Sequence, residues 1–429
     1  MASIIINSAC NLKCPFCFAT ETRDAEEEKK SNMGKEEFSR YLDFDNNIVT
    51  SLCGGEPTLH PEFITYMDMM FARRGKFINL LTNGLWPSKV YEYIKNLEFN
   101  KSKRIMYLFN ILNPKLYTEK QLEMLGRSLS CINPETAFIG FTVYKKDFDY
   151  SYIFDFAEKY NIKRIRYSIA APNVTDENSW NISPEQDFKE LASLIYDFVT
   201  EAVDKGYEVN SDCGYLPPCV YTKEQLAELM LIQPGIKFKC ASVGDIGKGG
   251  KVWRCYGLYS AVNGKIEEFK NIQEMQTIFS KESEVLLGTD VLDECEDCEY
   301  KKLEICNGGC LVYRVIKNMK KNLDITANYL RDDDKFIHLV PTLNEKVLKI
   351  WNKAEDETYT YIRKKQKMQV KLLENKKEML DIIQTINGEK SIREIIEELT
   401  ETYENEALAR QNIIGITKEL FINDCLKLR

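Results

Sequence analysis

Cys10-Asn-Leu-Lys-Cys14-Pro-Phe-Cys17 is the stretch on which the reading of this chain turns. The C-x3-C-x2-C spacing follows directly on the apolar run Ser3-Ile4-Ile5-Ile6. That run predicts a short strand, and the cysteines then occupy the loop that leaves it. Three thiolates so close together can hold one iron–sulfur cluster. A cubane of the 4Fe–4S type offers more irons than there are cysteines here, so one iron keeps an open position, as a catalytic zinc does. The competing reading is a small zinc site or buried thiols. Zinc wants a fourth ligand nearby, and neither histidine, His60 or His338, is close in sequence.

The chain has 429 residues, room for two or three domains, and its 44% apolar content supports ordinary globular cores. A net charge of −8 argues against a broad basic surface for nucleic acid. No basic n-region followed by an apolar h-region opens the chain, and no apolar run is long enough to span a bilayer. Fourteen cysteines in a chain of this length point to metal or cluster ligation in a reducing, cytoplasmic setting.

From Ser3 to about Pro172, short apolar runs alternate with helical patterns. Strands are predicted at Ser3–Asn7, Ile48–Leu52, Phe77–Leu81, Arg104–Phe109, Ala137–Val143 and Arg164–Ile169. Alternation of this kind predicts an α/β fold with a parallel sheet, whose sites gather at the C-terminal strand ends. The second strand runs into Cys53-Gly54-Gly55-Glu56-Pro57-Thr58, where two glycines let the backbone approach a ligand closely. Cys53 itself reads as a buried thiol. Thr82-Asn83-Gly84, Asn110, Asn113 and Ser168 fall at later strand ends, where polar residues also serve turns.

The cysteine stretch, with the aromatic Phe16 just before its last cysteine, resembles the signature of the radical S-adenosylmethionine (radical SAM) family. The resemblance implies a partial (β/α)6 barrel with a 4Fe–4S cluster on Cys10, Cys14 and Cys17. It implies that the open iron takes the amino and carboxyl groups of S-adenosylmethionine. A reductant such as flavodoxin or ferredoxin would then supply the electron that splits the cofactor into methionine and a 5′-deoxyadenosyl radical, which takes a hydrogen atom from the substrate. Gly54, Gly55 and Glu56 resemble the family's Gly-Gly-Glu-Pro motif, which contacts the methionine amino group. By the same resemblance Phe16, Asn110 and Ser168 are the further candidates for the cofactor. No residue stands out as an acid or base, although Tyr144, Tyr167 and Asp212 could approach the cavity.

A second group of cysteines follows: Cys213, Cys219, Cys240, Cys255, Cys295, Cys298, Cys306 and Cys310, accompanied by glycines. C-x2-C pairs suit zinc as well as iron–sulfur clusters. Cys240 and Gly250-Lys-Val-Trp-Arg-Cys255, then Cys295, Cys298, Cys306 and Cys310, resemble the SPASM extension of radical SAM enzymes that modify peptides. Two residues are inserted before the third core cysteine, and the usual last cysteine is missing. The resemblance implies one or two auxiliary 4Fe–4S clusters. In one arrangement Cys310 crosses over to join Cys240, Cys255 and either Cys213 or Cys219. Cys295, Cys298 and Cys306 then lack a fourth ligand, with Asp324 a candidate. In the other, 213/219/240/255 and 295/298/306/310 form two sites without crossing.

After a polar linker at Asn173–Asn181 and a further strand-like run at Phe336–Val340, the C-terminal part is lysine-rich and helical. Val370-Lys-Leu372 reads as a strand, Lys376–Ile386 as a helix stopped by Asn387-Gly388, and Ser391 with Glu394 as a capping box for the next helix. Residues 372–403 resemble the winged-helix-like peptide-recognition domain of enzymes that mature ribosomally made peptides. Such domains bind a leader peptide along a strand edge. The expected layout is a barrel at 1–175, a bridging helical region at 176–235, a SPASM-like domain at 236–330, a helical linker at 331–368 and a recognition domain at 369–429. The resulting expectation is a radical SAM enzyme that modifies a precursor peptide, engaging both leader and core, with no nucleic acid or membrane as partner. The alternatives are an anaerobic sulfatase-maturing enzyme and an iron–sulfur peptide-binding or electron-transfer protein without turnover.

Overall fold

The computed structural model describes residues 3–17, 19, 32–170, 182, 184–241, 243–285, 292–295, 297–320, 328–344, 348–354, 357–364, 369–373, 377–401 and 405–429. The chain divides into two compact units, Met1–Gln276 with Thr289–Ile325, and Thr277–Gly288 with Thr326–Arg429.

The first unit is built on a parallel sheet. Strands β1 (Ser3–Ile5), β2 (Val49–Cys53), β3 (Phe77–Thr82), β4 (Ile105–Asn110), β5 (Ala137–Val143), β6 (Arg164–Ile169) and β7 (Glu208–Ser211) lie side by side in chain order. Between them run α1 (Lys35–Phe44), α2 (Phe63–Ala72), α3 (Ser88–Lys95), α4 (Glu119–Cys131), α5 (Ser151–Lys159) and α6 (Pro184–Asp204). Strand–helix alternation with parallel pairing is the arrangement that the apolar periodicity requires. Paired residues of neighbouring strands share a face of the sheet. One face carries Ile4, Leu52, Ile78, Leu80, Ile139 and Ile165, all fully buried. Each such side chain contributes roughly 2 kcal/mol on burial. The other face carries polar residues, as Asn79 donating to Ser51 Oγ (3.2 Å) and Thr142 hydrogen-bonded to Ser168 (2.8 Å) show.

The sheet does not stop at the six expected strands. β7 continues it beyond β6, and β8 (Asp245–Ile246), β9 (Lys251–Trp253) and β10 (Asn263–Lys265) extend it beyond β1. β8 runs parallel to β1, with Ser3 opposite Asp245, and β9 and β10 follow antiparallel. The strand leading to Cys10 therefore shares a sheet with the strand leading to Cys255. Two- and three-residue strands show too little periodicity to be read in advance. Helix α7 (Lys223–Ile232) starts at a capping box of Thr222 and Gln225, and α4 at one of Thr118 and Gln121. The linker at 173–181 lies outside the described residues.

The second unit takes up α8 (Ile272–Val285) from Thr277 onward. Helix α9 (Leu311–Lys320) belongs to the first unit. The stretch 331–368, expected as a helical linker, is largely extended: β11 (Pro341–Leu343), β12 (Leu348–Ala354) and β13 (Glu357–Lys364). No strand forms at Phe336–Val340: Phe336 ends a short helix, Asp333–Phe336, which Asp332 caps through the Lys335 amide (3.3 Å), and residues 337–340 follow as a turn. β12, β13 and β14 (Gln369–Leu373) form an antiparallel meander with β14 at one edge. Three helices follow, α10 (Lys377–Thr385), α11 (Ile392–Thr400) and α12 (Glu406–Ile422), then β15 (Leu426–Leu428), paired antiparallel with β11. Ser391 and Glu394 form the expected capping box, and Ile392, Ile395, Ile396 and Leu399 enter one core with Ile413, Leu420 and Phe421.

Candidate functional site

The cysteine loop leaves β1 at the C-terminal edge of the sheet. Cys10, Cys14 and Cys17 are half-buried, and the Cys17 amide donates to the Cys14 carbonyl (3.2 Å), which folds the loop back on itself. Neutral amides pin it. Asn83, just past β3, donates to Asn11 Oδ1 (2.8 Å) and points its Nδ2 at Cys10 Sγ (3.8 Å). Asn11 in turn donates to the Leu85 carbonyl (2.9 Å). The ring of Phe16 lies against Tyr144, which follows β5, at 5.2 Å between centroids. His60 is not available as a ligand. Its Nδ1 accepts from the Glu62 amide (3.0 Å), which leaves Nε2 to donate to the Met33 carbonyl (3.2 Å).

Gly54 and Gly55 are required by the chain itself. A Cβ on Gly54 would fall 2.0 Å from Asn7 Oδ1, and one on Gly55 would fall 2.4 Å from the Ala9 carbonyl oxygen. The Gly55 and Glu56 amides donate to the carbonyls of Asn7 (2.9 Å) and Ala9 (2.7 Å), so this turn clasps the backbone that leads into Cys10. The Glu56 carboxylate is buried and accepts from Thr58 Oγ1 (2.6 Å), the Thr58 amide (3.2 Å), Thr82 Oγ1 (2.8 Å) and the Asn83 amide (2.7 Å). Burial raises its pKa, and these donors pull it back. Glu56 thus ties the end of β2 to the end of β3. Burial pushes the thiol of Cys53 up to about 12, as suits an inert packing residue.

Asn110 and Ser168 stand on the polar face. Asn110 pairs in register with Gly140, where a Cβ would fall 2.8 Å from Asn110 Oδ1, and Ser168 is held by Thr142. Asp212 forms an ion pair with Arg166 on that face. Tyr167 belongs to the opposite, covered face, where burial lifts its hydroxyl pKa far above the usual range. Tyr144, singled out from the sequence, does stand beside Phe16, whereas Asn11 and Thr142 escape a sequence reading because isolated Asn and Thr residues carry no spacing signal.

The eight downstream cysteines sort into two groups. Burial raises the Cys213 thiol most, followed by the charges of Cys310, Asp212, Cys255 and Cys240. Cys310, pushed up to about 12 by burial, feels Cys240 and Cys255 in turn. Arg254, buried at 2% exposure, donates to Cys240 Sγ (3.3 Å). Cys219, pushed up to about 11 by burial, next feels Cys295, Cys298 and Cys306. Water reaches Cys213 and Cys219 in this structure, yet protein atoms crowd both thiols enough for desolvation to dominate. These charges put Cys213 nearer Cys240, Cys255 and Cys310, and Cys219 nearer Cys295, Cys298 and Cys306. Asp324 lies outside the described residues. Among the described residues no three Cys, His, Asp or Glu side chains are close enough to enclose a single metal ion. No described helix is long and apolar enough to cross a membrane.

Comparison with known proteins follows the same division. The solved structure of Streptococcus suis SuiB bound to S-adenosylmethionine is similar in fold, with a TM-score of 0.52 and 16% identity over 76% of this chain and 75% of that one. The structure of SuiB bound to precursor peptide SuiA gives 0.51 and 17%, over 76% and 74%. A segment of 95 residues, 22% of this chain, is 30% identical to a protein of Methanocaldococcus jannaschii assigned provisionally as a glycyl-radical enzyme activating enzyme; the match spans 38% of that protein's length. Residues 4–127, which carry the cysteine loop, the Gly-Gly-Glu-Pro turn and the first four strands, match the model of the Radical SAM superfamily.

Proposed function

We propose that this chain is a radical SAM enzyme that abstracts a hydrogen atom from a residue of a ribosomally made precursor peptide and so installs a crosslink, an epimerised centre or a decarboxylation. The observation that carries the reading is the three-cysteine loop at the end of β1, clasped by Gly54 and Gly55. The donor set fits an iron–sulfur cluster with an open iron: three thiols, an amide aimed at one of them, and His60 engaged elsewhere. When bound, the cluster and S-adenosylmethionine together supply the 5′-deoxyadenosyl radical. The chain's own work is to hold and screen. Cys10, Cys14 and Cys17 would hold the cluster, the backbone at Gly54–Glu56 and the polar side chains of Asn110 and Ser168 would orient the cofactor, and Phe16 against Tyr144 would screen it from water. Binding and exclusion of water are what a protein adds to chemistry of this kind.

A peptide substrate is supported by the second unit. Among the described residues β14 pairs only with β13 and lies at an edge of the meander, and an extended peptide can add there as a further strand. Two auxiliary clusters on the downstream cysteines would carry electrons to or from the reacting centre, at potentials set by charge and hydrogen bonding. Anaerobically reconstituted protein is expected to release 5′-deoxyadenosine from S-adenosylmethionine. Removal of 345–429 is expected to weaken binding of the precursor peptide while cofactor cleavage persists. Absence of 5′-deoxyadenosine above background would favour a binding or electron-transfer protein, and unchanged peptide affinity after truncation would remove the peptide-recognition role.

A further inference from the structure

We infer that the cleft where the C-terminal ends of α3, α4 and α5 meet binds a small phosphate ester, at the edge of the first unit opposite the cysteine loop. A helix that follows a strand of a parallel sheet runs back along it, so these three ends gather at the N-terminal edge of the strands.

The cleft has a volume of about 570 Å³, within the range of small-molecule sites. Helical spacing brings its walls together. Tyr91 and Lys95 are four residues apart on α3, and Arg127 and Cys131 are four apart on α4, so each pair shares a face. Lys159 and Tyr160 close the third side from the end of α5. Gly126 sits inside α4, where glycine weakens a helix relative to alanine. A Cβ there would fall 2.8 Å from the Tyr160 hydroxyl oxygen, so the glycine makes room for that hydroxyl at the cleft. Among the described residues the Tyr160 hydroxyl has no hydrogen-bond partner.

The three cations of the cleft are held by rings rather than by carboxylates. The Arg127 guanidinium lies over Tyr91 at 4.4 Å from the ring centroid, with Lys95 at 5.7 Å from the same ring, and Lys159 lies 5.3 Å from the centroid of Tyr160. Among the described residues none of the three forms an ion pair. Carboxylates are not scarce, since 66 acidic side chains face 58 Lys and Arg, and elsewhere in this unit Arg73, Lys146, Arg166 and Lys205 each meet one. Helix C-termini attract cations in their own right. That attraction keeps a cation beside its own last turn, whereas Arg127 of α4 reaches across to a ring of α3. The local field is positive. Burial pushes the Cys131 thiol up to about 11, and among the surrounding charges Lys95 and Arg127 pull it down by more than Glu92 raises it. Such a thiol is a wall, not a nucleophile.

Three unpaired cations and a hydroxyl donor converging on one cleft suit a multiply charged oxyanion, which charge-assisted hydrogen bonds hold strongly. The volume leaves room for an organic group beside the phosphate, which makes the ligand an ester rather than the bare ion.

The test is calorimetric titration of the full-length chain, at low salt and without divalent cations, with ADP, inorganic pyrophosphate and adenosine as probes. ADP and pyrophosphate are expected to bind, ADP the tighter, adenosine is expected not to, and S-adenosylmethionine should displace neither. Arg127→Gln and Lys159→Gln should each weaken ADP about tenfold or more. Arg127→Lys should recover part of the loss, and Tyr160→Phe should cost less than either charge. The thermal midpoint of each unliganded variant should stay near that of the parent, which separates loss of a ligand contact from loss of fold. No binding of ADP or pyrophosphate at millimolar concentration would overturn the assignment, and so would displacement by S-adenosylmethionine or equal affinity in the Arg127→Gln/Lys159→Gln double variant. Binding of polyglutamate but not of ADP, lost in that double variant, would replace the phosphate ester by an acidic peptide.

Discussion

The cysteine loop after β1 and the downstream cysteines are built in opposite ways. The loop gathers three thiols from eight consecutive residues, leaves them half-buried, and steadies them with neutral amides from Asn11 and Asn83. The downstream cysteines come from segments spread over residues 213–310, and one of them, Cys240, is set against a buried guanidinium, Arg254. Three thiols beside a polar sheet face suit a site that must admit a cofactor, whereas a charged neighbour tunes whatever a downstream thiol holds.

The largest effect should come from the clasp that makes the first region possible. Glu56→Ala leaves the donors of Thr58, Thr82 and Asn83 unpaired in the interior, at a cost of about 3 kcal/mol. The thermal midpoint is expected to fall, and cofactor cleavage should drop with it even below that midpoint, since the Asn83 side chain that faces Cys10 is anchored through the same carboxylate. Cleavage at the wild-type rate in a destabilised Glu56→Ala protein would separate the clasp from the site.

Next is the seam between the two regions, where β8 pairs with β1. Burial pushes the Asp245 carboxyl from 3.8 up to about 7, and hydrogen bonds from Ser3 only partly oppose it. The folded chain therefore holds a proton that the unfolded chain has already released. This contribution to stability is fullest below the ordinary carboxyl range and is lost as pH rises toward 7. Asp245→Asn should raise the thermal midpoint above pH 7, by at most about 4 kcal/mol, and the gain should fade below pH 5. Denaturation followed from pH 5 to pH 8 checks this.

A smaller change concerns the charged neighbour. Arg254→Gln removes a positive charge and an N–H···S hydrogen bond at Cys240, so the potential of a cluster held by Cys240 should become more negative. A redox titration should show the loop cluster unmoved. Smallest of all, Ser391→Ala removes the cap of α11 for about 1 kcal/mol, read as a shift in unfolding of the second unit with cofactor cleavage unaffected.

The contrast between the two regions also explains what could be read in advance. The loop site is local: Cys10, Cys14, Cys17 and the Gly54–Gly55 turn announce themselves by spacing, and Ala137–Val143 and Arg164–Ile169 are apolar enough to fix their own boundaries. The downstream cysteines are different: the left-handed reversal at Gly308 and Gly309 and the reach of Asn307 to Cys240 join segments far apart in the chain, which no one-dimensional pattern encodes. The same holds for β8–β10, two or three residues each, which take their place only once β1 offers an edge. The stretch 331–368 was misread because its many charges resemble an exposed helical face, whereas alternation such as Thr358-Tyr-Thr-Tyr-Ile362 belongs to a strand.

The central claim is that one iron beside Cys10, Cys14 and Cys17 is free to bind a cofactor. The direct measurement is the electron paramagnetic resonance spectrum of the anaerobically reduced protein before and after addition of S-adenosylmethionine, with the Cys10→Ala/Cys14→Ala/Cys17→Ala variant in parallel. The account predicts that the cofactor changes one cubane signal in the parent and that this signal is missing from the variant. A parent spectrum indifferent to S-adenosylmethionine, or a responsive signal that survives in the variant, would contradict it.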